Sequence, residues 1–533
     1  MRLNRRRLLQ ASGATLLSTV APTITWANTP DPSRTIKAVL HADLRSFDPI
    51  TTNTYITTYH GGMVYDTLFG LDAESTPQPQ MVSKWDVSED RLTYTFELRD
   101  GLAFSDGTPV SSRDCVASIR RWSARDGGGQ FLVQRLEDMA PVDDKTFKIV
   151  LREPFGLLID LLAKASGNCC FIMRESEALT DPNEPISTII GSGPFIFNED
   201  ELLAGQRYVY DRNPNYVPRS EPASGTAGGK VVKVDRVIFE NLPDQATALA
   251  ALQRGEIDFY ESPPIDLLAT ISNDPQIIVD TQNPGGYMGW LRPNHLHPPF
   301  NHPAARQALL HLVDQEAVMR ATFGNPEYYR TCGSFFGCGT TMENDANTDW
   351  FKGGQNIERA RELFQEAGYA GETVVILQAT DVPFMNNSAL LLAQWLQEAG
   401  VTVELQAGDW GTISARRQNR DKPTEGGWNL VFTYAATNLH NNPIGAPAFA
   451  ATGDAASYGW PTDQKHEELR LKWAAAETFE ARKEVARELQ DNAWDFVLQV
   501  YLGQWTPPVA YRSNLKGLIA VPELLPFWNI EKT

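Results

Sequence analysis

Hydrophobic and polar side chains alternate along two short stretches in the first third of the chain. The segments 91–98 and 146–151 both follow this period of two, which is typical of strands with one buried face. Between them, Ser111 or Ser112 is suited to cap a helix that carries apolar side chains at helical spacing until the glycines at 127–129 end it. The first third is therefore predicted to mix strands and helices.

A strand, helix and strand follow one another in the next region. The segment 231–239 alternates like a strand, a helix opens at Asp244 and stops at Gly255, and a second strand is predicted at 257–259. This order predicts parallel strands that are joined by a crossover helix.

The second half repeats this pattern more regularly. The predicted elements are strands at 374–377, 401–405 and 430–432, and helices over 388–399 and from Trp410. Such alternation predicts a doubly wound unit with a parallel sheet covered on both faces. A ligand would then lie beyond the carboxyl ends of the strands, at 379–384 and 434–442. The second of these segments is polar and aromatic without a carboxylate, which favours a small polar solute, although an ordinary surface loop has the same composition.

The first 27 residues have the pattern of an export signal. Arginines at 5–7 precede a mildly apolar stretch at 8–20, and small residues lie before a cut near Ala27. The arginines also resemble the twin-arginine motif, so either that route or the general secretory route is open. The apolar stretch is too short and too polar for a permanent membrane helix, and no run of about eighteen apolar residues follows it. We therefore predict a soluble periplasmic protein.

Charge and length narrow the possible functions. The chain has a formal charge of −19, and the 506 residues after the signal carry −23, because the signal holds four arginines and no acid. Such an acidic balance argues against nucleic acid and anionic lipid as partners. A chain of this length is expected to fold as two or three domains.

The five cysteines predict one disulfide. Cys332 and Cys338 enclose five residues and could pair in an oxidising compartment. Zinc would need more ligands than this local pair supplies, and catalytic redox pairs usually sit closer. Cys169 and Cys170 lie beside apolar residues and are predicted to be buried free thiols, while the state of Cys115 stays open.

Segments spread over nearly the whole mature chain resemble the family 5 extracellular solute-binding proteins of ABC transporters, which include dipeptide, oligopeptide and nickel binders. The most specific resemblance runs from 85–90 through 93–99 into 104–110. The other matching segments are 46–49, 65–69, 191–195, 212–216, 255–258, 299–309 and 360–369.

The resemblance implies an α/β fold of the two-lobed, type II periplasmic-binding-protein kind, with an additional subdomain in the first lobe. The expected division is an export signal at 1–27, the first lobe at 28–80 and 191–284, its extra subdomain at 81–190, the second lobe at 285–504, and a C-terminal return to the first lobe at 505–533.

The resemblance also implies a function. The protein is expected to be a monomeric receptor, without cofactor or catalysis, that captures a peptide or other small polar solute between its lobes and docks on the ABC permease when closed. In peptide-binding members an acid after the strand at 430–432 pairs with the peptide's amino group. Here that loop offers Thr437 and Asn438, so sugars, opines, modified peptides and other polar solutes stay open.

Six residues are candidates for the walls of the cleft. Aromatic rings there would pack on apolar or cationic parts of a solute, and polar side chains would hydrogen-bond to it. For Trp290, packing in the core is an equal alternative. The candidates are Thr54, Tyr55, Tyr287, Trp290, Tyr434 and Asn438.

The sequence gives less support to other classes of function than to a solute receptor. A periplasmic hydrolase is the main alternative, but the sequence lacks Gly-x-Ser-x-Gly and His-Glu-x-x-His, and its glycine-rich stretches miss the spacings that hold phosphates. A chaperone-like peptide binder would use the same cleft less selectively. His295, His297 and His302 raise a nickel hypothesis, but their Pro-rich stretch has no nearby carboxylate or thiolate, so no metal site is predicted.

Overall fold

The computed structural model describes residues 31–533 except 166 and 477, so the predicted export signal lies outside the described residues. No helix in the described part combines the length and apolar character that crossing a membrane requires. The strands are β1 (Thr35–Val39), β2 (Asp66–Thr67), β3 (Phe69–Leu71), β4 (Pro77–Pro79), β5 (Val82–Val87), β6 (Thr93–Leu98), β7 (Leu136–Pro141), β8 (Thr146–Leu151), β9 (Phe171–Ile172), β10 (Phe195–Phe197), β11 (Arg207–Arg212), β12 (Arg236–Glu240), β13 (Phe259–Tyr260), β14 (Ile277–Asp280), β15 (Tyr287–Pro293), β16 (Tyr329–Arg330), β17 (Val374–Ala379), β18 (Val403–Gly408), β19 (Leu430–Ala436), β20 (Val500–Trp505), β21 (Val509–Arg512), β22 (Leu515–Lys516) and β23 (Glu531–Lys532). The helices are α1 (Tyr55–Val64), α2 (Ser112–Arg125), α3 (Gly127–Arg135), α4 (Leu158–Leu162), α5 (Glu175–Ala178), α6 (Gln245–Arg254), α7 (Pro303–Leu312), α8 (Gln315–Phe323), α9 (Asp349–Lys352), α10 (Ile357–Glu366), α11 (Pro383–Glu398), α12 (Trp410–Arg416), α13 (Gln464–Ala475) and α14 (Phe479–Phe496).

Lobe I is built on a seven-stranded mixed sheet with the strand order β10-β11-β12-β1-β13-β21-β14. Strand β1 pairs in parallel with β12 and with β13, which α6 joins. Asp244 caps α6 by accepting the Thr247 N–H, and Gly255 ends it with a φ of +71°. Glycine adopts this left-handed conformation without steric cost. The predicted strand, helix and strand unit is confirmed.

Lobe II is built on a six-stranded sheet with the order β16-β20-β15-β19-β17-β18. Strands β17, β18 and β19 are parallel to one another, as predicted. The other half of the sheet is antiparallel, so the prediction of a parallel sheet is wrong there. The reason is that the chain enters lobe II along β15 and leaves along β20. Because both strands begin or end at the boundary with lobe I, they must run in opposite directions.

The chain passes between the lobes twice, and the two connections touch. The first crossing, residues 281–286, joins β14 to β15, and the second crossing, residues 506–508, joins β20 to β21. Gly286 in the first crossing has a φ of +60°, and a Cβ on it would lie 2.1 Å from the backbone oxygen of Trp505. Such an approach requires glycine. The Gln504 side chain also donates a hydrogen bond to the Gly285 oxygen, at 2.9 Å.

A separate four-stranded antiparallel sheet, in the order β5-β6-β8-β7, lies within the predicted subdomain, and α2 packs against β7 and β8. The boundaries predicted for the subdomain and the lobes stay predictions. Helix α2 ends at Arg125, just before the glycines at 127–129, as predicted, but these glycines also form the first turn of a further helix, α3, which was not predicted. Asp126 accepts the N–H groups of Gly128 and Gly129 at 2.9 and 3.1 Å and so caps a new helix there.

A buried ion pair joins three segments of lobe I and its subdomain. The Arg121 guanidinium on α2 lies 2.7 Å from the Asp48 carboxylate, and the two side chains are 1% and 0% exposed. Arg121 also donates to the backbone oxygens of Thr180, Asp181 and Glu184. Asp48 in turn accepts the N–H of a residue in the same segment, at 186. The pair therefore holds α2, the turn at 48 and the segment 180–186 together.

We expect Arg121→Met to lower the free energy of unfolding by about 3–5 kcal/mol, because it leaves the Asp48 carboxylate buried without its countercharge. Urea unfolding followed by circular dichroism measures the effect. Arg125→Met on the same helix is the matched control, since Arg125 is exposed and should cost less than about 1 kcal/mol. Equal losses in the two variants would contradict the structural role of the buried pair.

Candidate functional site

A cavity of about 320 Å³ lies where the two lobes meet at the crossings. The strand directions explain its place, because the carboxyl ends of β1 and β13 in lobe I face the ends of β19 and β20 in lobe II. Lobe I lines it with His41, Tyr55, Tyr59, Glu261 and Ser262, and the crossings with Gln282, Asn283 and Pro507. The C-terminal segment adds Val521, Glu523, Leu524 and Leu525, β21 adds Val509, and lobe II adds Tyr287, Tyr434 and Trp505.

Three neighbouring strands build the aromatic wall of lobe II. Tyr287 begins β15 and lies opposite Trp505, the last residue of β20, while Tyr434 is near the end of β19. The ring centroid of Tyr287 lies 5.8 Å from that of Tyr434 and 5.8 Å from that of Trp505. Behind this wall, Phe384 packs on Trp505 with centroids 4.8 Å apart, and Gly289 leaves the space for its ring. These separations are those of favourable aromatic pairs.

The wall of lobe I is polar. His41 follows β1, Glu261 follows β13, and Tyr59 lies on α1. The Glu261 carboxylate accepts the Tyr59 hydroxyl at 2.7 Å and the His41 backbone N–H at 2.9 Å, and its Oε2 lies 2.8 Å from His41 Nδ1. Parallel strands β1 and β13 are neighbours, so their carboxyl ends bring the acid and the imidazole together.

His41 and Glu261 each shift the pKa of the other. Burial lowers the pKa of His41, but the charge of Glu261 and the hydrogen bond to it outweigh burial, so the pKa of His41 is raised. Burial raises the pKa of Glu261, but His41 and the Tyr59 hydroxyl overcome this, so the pKa of Glu261 is lowered. Both shifts favour an imidazolium–carboxylate pair at the cavity.

The two lobes are in direct contact beside the cavity. The Ala436 backbone N–H of lobe II donates to the Tyr55 hydroxyl of lobe I at 3.1 Å. The ring centroids of Tyr55 and Tyr287 lie 5.9 Å apart across the same boundary, with the ring planes tilted by 57°. A solute in the cavity would therefore touch both lobes.

The structure places three of the six predicted wall residues, Tyr55, Tyr287 and Tyr434, around the cavity. Thr54 is instead the exposed N-cap of α1. Trp290 is 4% exposed and packs against His440, because side chains alternate along β15 and place it on the opposite face from Tyr287.

Asn438 lies outside the cavity lining, whereas several residues that were not predicted line it. Asn438 packs beside Gly285 in the first crossing and does not line the cavity. His41, Tyr59, Glu261, Trp505 and Glu523 were not predicted. Glu261 had a signal, since it directly follows the strand predicted at 257–259, and the rule that ligands lie beyond carboxyl ends applies to lobe I as well.

The cysteines and the three histidines considered for nickel lie outside the lining of this cavity. Cys332 and Cys338 form a disulfide with Cα atoms 5.8 Å apart, whereas Cys115, Cys169 and Cys170 are buried free thiols. Of the histidines considered for nickel, His295 packs its ring on Phe496, His297 bonds the Arg420 oxygen, and His302 caps α7. Within the described ranges no group of three or more His, Cys, Asp or Glu side chains could hold a metal ion.

Comparison with known proteins agrees with this architecture. The family model described as bacterial extracellular solute-binding proteins, family 5, middle region, matches residues 76–457. This chain belongs to that family. The family 5 protein is 47% identical, over 536 residues and 100% of both chains, to the probable peptide ABC transporter periplasmic-binding protein y4tO of Sinorhizobium fredii.

Solved structures show the same fold. AgaA of A. tumefaciens R10, solved with agropinic acid, has a TM-score of 0.76 at 22% identity, covering 94% of this chain and 99% of its own. DppA of Helicobacter pylori, solved with the peptide STSA, has a TM-score of 0.74 at 19% identity, covering 93% of this chain and 98% of its own. The expected two-lobed, type II α/β fold is thus confirmed for the family 5 protein, and membership indicates a binding protein rather than an enzyme.

We expect the His41–Glu261 pair to make stability depend on pH. Because the fold raises the pKa of His41, its protonation stabilises the folded state below the ordinary histidine value of about 6.5, and this contribution is lost as pH rises through the raised value. Between about pH 5.5 and about pH 8.5, the wild type should lose more unfolding free energy than His41→Gln. The difference should be below about 1 kcal/mol, because the ring is 28% exposed.

Urea titrations at the two pH values measure this difference. His311→Gln is a control in which the expected effect has the opposite sign. Burial lowers the pKa of His311, so its titration makes the wild type gain stability as pH rises, and this gain should be missing from the variant. A His41→Gln protein with the pH dependence of the wild type would show that the pair is not formed.

Proposed function

We propose that this family 5 protein is the periplasmic receptor of an ABC importer and that it captures a small solute, a peptide or another polar compound, in the cavity between its lobes. The observation that carries the proposal is that both lobes and both crossings line one cavity. Its relative y4tO is named as a peptide-binding protein of such a transporter, which supports this role. The chain would be exported by the signal at 1–27, cleaved near Ala27, and deliver its solute to the permease as a monomer.

The geometry supports capture by closure. In the described part of the chain, two short connections join the lobes, from the neighbouring strands β14 and β21 at one edge of the lobe I sheet to the neighbouring strands β15 and β20 of lobe II, so the lobes can rotate about them. A solute that contacts Tyr55 on one side and Tyr434 on the other stabilises the closed form, because it binds that form more tightly than the open one. The bound form would then be the one that the permease recognises.

The cavity volume limits the size of the solute. Ligand pockets commonly span about 300–1,000 Å³, and this cavity of about 320 Å³ lies at the lower end. Such a space suits a solute the size of a small peptide or a conjugated amino acid. This favours a selective receptor over a chaperone-like binder of long unfolded segments.

We expect Tyr287→Ala to weaken solute binding about tenfold or more, because this ring contacts three other aromatic side chains of the cavity and would cover the solute. The mature protein is screened by thermal shift against small peptides, opines and amines, and affinity is then measured by calorimetry. Tyr329→Ala is the matched control, since Tyr329 lies in the same sheet but outside the cavity lining.

Two results would contradict the receptor assignment. One is equal loss of binding in both tyrosine variants. The other is recovery of the solute in a cleaved or modified form after incubation, measured by mass spectrometry, which would favour the hydrolase. An unchanged solute with binding lost only in Tyr287→Ala is the expected outcome.

A further inference from the structure

The charged side chains around the cavity are acidic apart from one histidine. Glu261 and Glu523 line it together with His41, and none of the described residues that line it is a lysine or an arginine. Building on the proposed function, we propose that the solute carries an ammonium or guanidinium group, which Glu261 and Glu523 bind on the lobe I side while the aromatic rings of lobe II cover it. The charge balance and the position of the rings both point to this class.

Glu261 is held in a fixed position for such a contact. Its Oε2 is engaged by the backbone and the ring of His41, and its Oε1 by the hydroxyl of Tyr59. An ionised carboxylate offers about four acceptor positions, so an N–H group of a solute can still bind Oε1. Hydrogen bonds in which both partners are charged are among the strongest in proteins, and a preorganised acceptor loses little entropy on binding.

Glu523 lines the same cavity, but it belongs to the C-terminal segment between β22 and β23. It is 2% exposed and has a φ of +63°, a conformation that residues with a side chain rarely adopt. Burial and then the charge of Glu523 raise the pKa of Tyr55, while burial and then the charge of Glu261 raise the pKa of Tyr287. These two phenols lie side by side, with centroids 5.9 Å apart. The two carboxylates therefore act on one small region of the cavity.

The rings supply the second half of the subsite. Cations are attracted to the faces of tyrosine and tryptophan within about 6 Å of the ring centre. Tyr287, Tyr434 and Trp505 surround a single corner, with centroids between 5.2 and 5.8 Å apart. An anionic group in the same place would meet two carboxylates and the negative faces of the rings. The site thus selects for positive charge by attraction and against negative charge by repulsion.

His41 couples this subsite to pH. The groups that face its ring are the Glu261 carboxylate and the rings of Tyr55 and Tyr59, at centroid distances of 6.5 and 5.6 Å. A bound cation repels the imidazolium, so binding should release a proton from His41. The affinity for a cation is therefore expected to fall as pH falls through the pKa of His41.

A four-carbon charge series tests the proposal. Putrescine, 1,4-butanediol and succinate have the same chain length with positive, neutral and negative ends, and putrescine and agmatine keep their charge over the pH range used. Affinities for the mature full-length protein, freed of co-purified solute by unfolding and refolding, are measured by calorimetry and by tryptophan fluorescence. Putrescine or agmatine should bind at least about tenfold more tightly than butanediol, and succinate should not bind.

Three variants locate the effect. Glu261→Gln keeps an oxygen acceptor but loses the charge, and should weaken putrescine binding about tenfold while leaving butanediol within about threefold. At about pH 6, His41→Gln should bind putrescine more tightly than the wild type, because it lacks the imidazolium. At about pH 8, where His41 is largely neutral, the two proteins should bind putrescine equally. Glu256→Gln is the matched control, because this acid is 57% exposed, pairs with Arg254 and lies outside the cavity lining, so binding should not change.

The outcomes separate this proposal from the receptor assignment. If butanediol or succinate binds as well as the cations, and Tyr287→Ala abolishes that binding, the receptor role stands and the cationic solute is ruled out. If neither putrescine nor agmatine binds at millimolar concentration, the cation subsite is likewise ruled out, whatever the other compounds do. If no compound of this series or of the wider screen binds, both proposals fail.

Discussion

The double passage of the chain between its lobes is the constraint on which the site depends. Entry along β15 and exit along β20 force these strands to lie antiparallel and side by side, with Tyr287 opposite Trp505. Strand β19 then pairs with β15 and brings Tyr434 to the same edge. Because β14 and β21 reach that boundary from lobe I, the carboxyl ends of β1 and β13 face the aromatic residues. The cavity is thus a consequence of connectivity before any solute is considered.

The motifs that identify the family mostly hold the scaffold in place. Asp48, in the first motif, is the buried partner of Arg121. Tyr216, from another motif, donates to the buried Asp66 carboxylate at 3.0 Å, and Lys230 pairs with the same acid at 2.7 Å. Removing either charge of such a pair leaves the other without compensation in the interior, so substitution of these residues is expected to destabilise the fold. None of them lines the cavity, so substitutions in the cavity lining would leave these buried pairs in place.

The sequence predicted local structure well where one face of an element is buried. The unit β12–α6–β13 was predictable from its period, its cap at Asp244 and its stop at Gly255. The antiparallel half of the lobe II sheet was not, because strand partners far apart in sequence leave no local pattern. Tyr287 and Trp290, three residues apart, were predicted together because no strand was predicted at 287–293, and the alternation of β15 places them on opposite faces. Glu523 has no periodic signal, since it lies in a segment without helix or strand.

The location of the acids bears on how closure would select a solute. The loop after β19 offers Thr437 and Asn438 and no acid, and the two carboxylates that line the cavity, Glu261 and Glu523, lie on the lobe I side. Under the proposed scheme, the open form already presents Glu261 held by His41 and Tyr59, but the rings of lobe II reach the solute only on closure. A ligand shifts an open–closed equilibrium only by its difference in affinity for the two forms. That difference then comes from the aromatic wall and from the exclusion of water, while the carboxylates decide which charge is admitted.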